Sequence, residues 1–176
     1  ASPVTADAPG ATYTVLLGED GQLLSNDGLV IVEIEKYIES HDTHFLLANL
    51  HEVDRSGHTN SVDEYLQGVE ALDEPIVGLW NTIQSLPGYG DHTALVLVSD
   101  HGRHSREDLW AGHGDQCRGC REVSMFFIGP DIKANVTSEE TYVLADVAET
   151  IAWILDIDLP NGSGNAMETD EGCRQA

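Results

Sequence analysis

Thr93-Ala94-Leu95-Val96-Leu97-Val98-Ser99-Asp100-His101-Gly102 is the stretch on which the fold turns. Thr93 to Val98 read as the clearest strand in the chain, and they empty into an acid, an imidazole and a glycine. Working outward, His44 to Leu50 holds Phe45, Leu46, Leu47 and Leu50, a short apolar run of the kind found in a strand buried on both faces. Downstream, Val123 to Ile128 forms a third strand, stopped by Gly129-Pro130. Between them lie helical patterns. Gly28 to Ser40 could be strand or helix, and the polar spacing of Glu33, Glu35, Lys36 and Glu39 favours helix. Ser61 caps the next one with Glu64 completing a capping box, and Val62, Tyr65, Leu66, Val69 and Leu72 form its apolar stripe. Pro75 should break or kink it, leaving a second stretch from Ile76 to Leu86. Asp146 should cap a last helix running through Leu155, with Glu149 in the box position.

Strands alternating with helices predict an α/β fold with parallel strands, in which ligands sit outside the carboxyl ends of the strands. The organisation follows: residues 1–26 an irregular lead-in with a hairpin from Tyr13–Leu17 and Gln22–Leu24, 27–160 the domain portion, and 161–176 a polar tail.

The chain has 176 residues, and its 8 Lys+Arg against 31 Asp+Glu give a net charge of -23. Such a surface repels a phosphate backbone, which excludes nucleic-acid duplexes and anionic membranes as general partners. No apolar run is long enough for a membrane-spanning helix. Only Lys36 and Lys133 are lysines, a balance that suits solubility in high salt, so a halophilic or marine source competes with an ordinary acidic secreted protein. We expect a periplasmic or extracellular location. Cys117, Cys120 and Cys173 are too few for a disulfide framework. Cys117-Arg-Gly-Cys120 suits a local disulfide, a redox pair or half a zinc knuckle, and a small loop clip is the reading favoured by the glycine-rich loop before it.

Of the eight histidines, three fall beside acids or glycines at strand ends and in a loop. Asp54 and His58 are four apart after the first apolar run, Asp100 and His101 are adjacent after the second, and His113 lies between Gly112 and Gly114. Carboxylate and neutral imidazole are zinc ligands when no thiolate is offered, and the glycines let the backbone approach an ion. His104, in the same loop, is a candidate substrate contact.

The order Asp54-x-x-x-His58, then Val98-Ser99-Asp100-His101-Gly102, then Gly112-His113-Gly114, resembles the alkaline phosphatase superfamily, most closely its phosphodiesterase and nucleotide-pyrophosphatase-like branch. The resemblance runs from about Asp27 to Met167. It implies a three-layer α/β/α fold with a mostly parallel sheet, of which this chain is an incomplete, C-terminal part. It also implies two divalent ions, zinc first with manganese or calcium as alternatives. Asp54, His58 and His113 would hold one ion, and Asp100 and His101 would supply two ligands of the other. The family adds an upstream Asp and a Ser or Thr nucleophile. Asp27 comes nearest to that Asp but follows a weak hairpin, and no serine or threonine upstream of Asp54 sits at a matching helix start, so the nucleophile is expected outside this chain.

The leading expectation is therefore a segment of a metal-dependent phosphoester hydrolase acting on a small phosphodiester or phosphomonoester. It needs its N-terminal half or a partner chain, and an open sheet edge would favour a dimer. The rivals are a metal-binding module without turnover, and a sulfatase or phosphosugar mutase of the same superfamily.

Overall fold

Asn26 opens the first helix because its side-chain oxygen accepts the Leu29 N–H at 3.2 Å, which satisfies one of the unpaired donors of the first turn. The computed structural model describes residues 26–106, 110–114, 116–130 and 132–167. The expected hairpin before residue 26 lies outside them. Helix α1 (Asp27–Ser40) buries Ile31, Ile34 and Ile38, so the helical reading of this β-branched stretch holds. Helix α2 spans Glu52–Gly57, and α3 spans Val62–Ser85, with the Ser61 hydroxyl accepting the Glu64 N–H at 3.2 Å as its spacing predicts. The core forms where Ile31, Ile34 and Ile38 of α1 meet Leu79 and Ile83 of α3.

Three expectations change here. Pro75 sits inside α3 without ending it. A proline removes one hydrogen bond and costs about 3 kcal/mol, which packing of Ile76, Leu79, Trp80 and Ile83 at the core offsets. Residues 44–50 carry no strand hydrogen bonds: Leu46 and Leu50 pack on the core, whereas Leu47 is 85% exposed. An apolar run becomes a strand only where a neighbour pairs its backbone groups, and no described residue does so. Asp146 is the third residue of α5 (Leu144–Ile154) rather than its cap, and its carboxylate accepts the Val143 N–H at 2.7 Å from inside the helix.

Strands β1 (Leu95–Val98) and β2 (Met125–Ile128) pair antiparallel, Leu95 opposite Ile128 and Val98 opposite Met125. The expected parallel arrangement is thus not found among the described residues. The physical reason lies in the connection. Parallel neighbours need a crossover of a dozen or more residues, usually a helix. The described part of this connection holds only α4 (Arg118–Arg121), a single turn, so the chain doubles back. Part of the expected polar tail is docked, since the Asn165 N–H donates to Asp146 and the Met167 N–H to the buried Thr150 hydroxyl. No helix among the described residues is long and apolar enough to cross a membrane.

Candidate metal centre

The centre gathers around Asp54. Helix α2 is short, and it starts where the buried Asp27 carboxylate accepts the His51 N–H at 2.8 Å and the Glu52 N–H at 2.9 Å. One turn on, Asp54 and the C-capping His58 lie on the same side of the helix, as a four-residue spacing requires. His58 Nε2 stands 3.2 Å from Asp54 Oδ2. From the far side of the loop after β1, His113 Nε2 comes within 3.2 Å of His58 Nε2 and 3.7 Å of Asp54 Oδ1. His101 stacks on His113 with ring centroids 3.7 Å apart, and its Nε2 is 3.8 Å from Asp54 Oδ1. Its Nδ1 lies 2.9 Å from the Gly102 carbonyl oxygen. That contact fixes the proton on Nδ1 and leaves the Nε2 lone pair facing the cluster.

Four of the five expected ligands therefore converge, and the fifth sits at the rim. The Asp100 side chain is 88% exposed, with Oδ1 3.7 Å from His101 Nε2. Asp115, which could have supplemented it, lies outside the described residues. His104 is placed elsewhere, beside Cys117 and Cys120. The donor set fits a divalent ion. Asp54, His101 and His113 offer ligand atoms within 4.8 Å of one another. His58 approaches the other carboxylate oxygen, so it meets Asp54 Oδ2 at 3.2 Å while His101 and His113 face Oδ1 at 3.8 and 3.7 Å.

Sequence reasoning missed Arg103. Its side chain is 6% exposed, and its guanidinium meets Asp54 Oδ1 at 2.5 Å. A Cβ at Gly57 would overlap that guanidinium, so the glycine leaves the room it occupies. The Tyr65 ring lies 5.6 Å from its charge, and Trp110 meets Tyr65 edge to face. The only signal in the sequence was its place directly after Asp100-His101-Gly102.

These neighbours set the protonation of the centre. Burial raises the Asp54 pKa, but the His58 charge, the Arg103 hydrogen bond and charge, and the His113 charge outweigh it and hold the carboxyl below its ordinary value. Burial pushes the His113 imidazole down; His101, Arg103 and His58 push the same way, against Asp54. A histidine held neutral in the fold takes up protons more readily when unfolded, so its contribution to stability falls as pH drops below about 6.5. The Asp54 contribution is present above about 3.9 and is lost only as pH falls through its lowered value. The metal-free chain is expected to show a lower urea midpoint near about pH 5 than near about pH 7, and His113→Gln should flatten that slope. An unchanged slope in the variant would refute the assignment.

A family model described as the metalloenzyme superfamily matches residues 18–159. Among curated relatives, the 2,3-bisphosphoglycerate-independent phosphoglycerate mutase of Haloarcula marismortui is 28% identical over 131 residues, covering 72% of this chain and 23% of that enzyme. The enzyme of the same name from Gracilaria tenuistipitata var. liui is 26% identical over 123 residues, covering 66% of this chain and 22% of the relative. That of Salmonella paratyphi B is 26% identical over 151 residues, or 85% and 27%. The chain thus matches about a quarter of the length of these relatives. No solved structure matches it.

Proposed function

Because the chain belongs to the metalloenzyme superfamily, whose name implies divalent metal ions, we propose that it carries the metal-holding part of an enzyme that transfers phosphoryl groups on small phosphate esters. The observation that supports this most is the approach of His58, His101 and His113 to the two carboxylate oxygens of Asp54. Asp54, His58 and His113 hold one ion, and His101 with the exposed Asp100 begins a second set. Bound there, divalent cations supply Lewis-acid polarisation of a phosphoryl oxygen. The local positive charge also offsets the repulsion that a chain of net charge -23 exerts on an anionic ester.

Hydroxyls beside the centre have other work. Ser56 Oγ donates to the Val53 carbonyl at 2.9 Å, Thr59 Oγ1 donates to the Ser56 carbonyl at 2.7 Å, and Ser61 caps α3. This favours a nucleophile other than these three, which we place, with the remaining strands of a three-layer sheet, in sequence outside this chain. The Cys117–Cys120 disulfide favours a periplasmic or extracellular setting.

The names of the relatives favour the mutase reading over the hydrolase: the phosphoryl group returns to a different hydroxyl of the same molecule instead of passing to water. The phosphodiesterase-like order of the motifs favours the hydrolase. The protein containing this chain, loaded with manganese or with zinc, is to be given labelled phosphoglycerate and, separately, nitrophenyl phosphate. Positional exchange without release of inorganic phosphate supports the mutase; metal-dependent release supports the hydrolase. Neither, with metal bound, would leave a metal-binding module.

A further inference from the structure

A second group of soft donors lies behind the Asp100–Arg103 turn. His104, Cys117 and Cys120 each offer a ligand atom, and these atoms lie within 4.8 Å of one another. Cys120 is buried, His104 and Cys117 are half-buried, and the two cysteines are joined in a disulfide with Cα atoms 5.1 Å apart. We propose that reduction of this disulfide turns the clip into a Cys2His zinc site, separate from the centre on Asp54.

The donor set carries the argument first. Two thiolates and an imidazole form a set that zinc takes in preference to harder cations, with a fourth position left for water or another group. The backbone carries it second. The Gly102 N–H donates to the Cys120 carbonyl at 2.9 Å, and the His104 N–H to the Gly112 carbonyl at 3.3 Å. A Cβ at Gly102 would overlap the carbonyl oxygens of Gly119 and Glu122, and one at Gly119 would overlap that of Arg103. The two turns therefore touch backbone to backbone, which only glycine permits. None of these contacts depends on the sulfur–sulfur bond, so the backbone turns that carry the three donors stay together when it breaks. The Cys120 N–H already donates to Cys117 Sγ at 2.9 Å, a bond that a metal-held thiolate retains.

The chemistry balances with a dithiol as reductant. Its two thiols deliver two electrons and two protons, the Cys117–Cys120 bond breaks to two thiols, and the reductant closes to its own cyclic disulfide. Zinc then displaces one proton from each thiol and takes a lone pair from a His104 ring nitrogen.

Cobalt(II) substitution tests this, because thiolate–cobalt charge-transfer absorption arises from sulfur ligands and never from the oxygen and nitrogen donors around Asp54. The chain is titrated with cobalt, and then with competing zinc, before and after treatment with dithiothreitol, with excess reductant removed under argon. The reduced chain is expected to show the charge-transfer band, to lose it to one equivalent of zinc, and to keep it in Cys173→Ser; the oxidised chain should show none. His104→Ala should weaken zinc binding by more than the roughly 10–100-fold that loss of an outer-shell partner causes. Absence of the band in the reduced wild type overturns the proposal, as does a band that Cys117→Ser with Cys120→Ser leaves intact. Unchanged affinity in His104→Ala overturns the role of the histidine.

Discussion

Asp54→Ala should empty the metal centre and weaken the fold together. Asp54 is the one carboxylate that His58, His101, His113 and Arg103 all approach, at 3.2, 3.8, 3.7 and 2.5 Å. Without it, three imidazoles and a guanidinium face each other with only the exposed Asp100 carboxylate at the rim, so a divalent ion meets repulsion from Arg103 and loses its central charged ligand. Affinity should fall by more than the roughly 10–100-fold typical of an outer-shell loss. Stability should fall as well, because the 6% exposed Arg103 side chain keeps its charge and loses its partner. Stranding a buried charge costs about 3–5 kcal/mol, and solvent reaching the 32% exposed Asp54 side moves the expected loss to the lower end.

Arg103→Met separates the two effects. It removes the cation that occupies Asp54 Oδ1 while keeping a long apolar side chain against Tyr65. Metal affinity should hold or rise, and the loss of stability should be smaller than in Asp54→Ala. Metal content by elemental analysis and urea midpoints of the metal-free chains give both numbers. Full metal content in Asp54→Ala would remove Asp54 from the centre.

The reading of the sequence succeeded where the signal is local. The Asp54-x-x-x-His58 spacing needs only one helical turn to bring its two side chains to one side, although the sequence placed the pair in a loop after a strand and the structure places it on α2. The start of α3 was legible for the same reason, since Ser61 and Glu64 interact within one turn. What escaped depends on distant partners. Whether 44–50 pairs as a strand depends on a neighbour that no apolar run can name, and the antiparallel order of β1 and β2 depends on how the loop between them closes. Pro75 would break an isolated helix, but the core that holds α3 together is built by α1. Arg103 escaped because nothing in an arginine's neighbours in sequence tells that Gly57, 46 positions away, has left room for it.

Asp27 tests how far the centre depends on its support. Its motif position made it the nearest match to the family's upstream metal ligand, yet the structure uses both of its oxygens on backbone donors at the start of α2. His51, the residue before α2, caps nothing with its own side chain, so Asp27 does the capping from another helix. Asp27→Ala removes two hydrogen bonds to a charged acceptor, each contributing about 1.5–3 kcal/mol. Water can reach the exposed His51, so a net loss of about 2–4 kcal/mol is expected. Because α2 carries Asp54 and ends at His58, its loosening should also weaken metal binding by roughly 10–100-fold, the scale of an outer-shell support. Asp27→Asn keeps one acceptor but turns an amide N–H toward a donor, and should fall between wild type and alanine on both measures. The two roles leave different signatures. A brace loses stability in the metal-free chain, and its loss of affinity is recovered at high metal concentration with unchanged stoichiometry. A ligand would leave the metal-free chain as stable as wild type and remove an ion outright, and that result would return Asp27 to the metal.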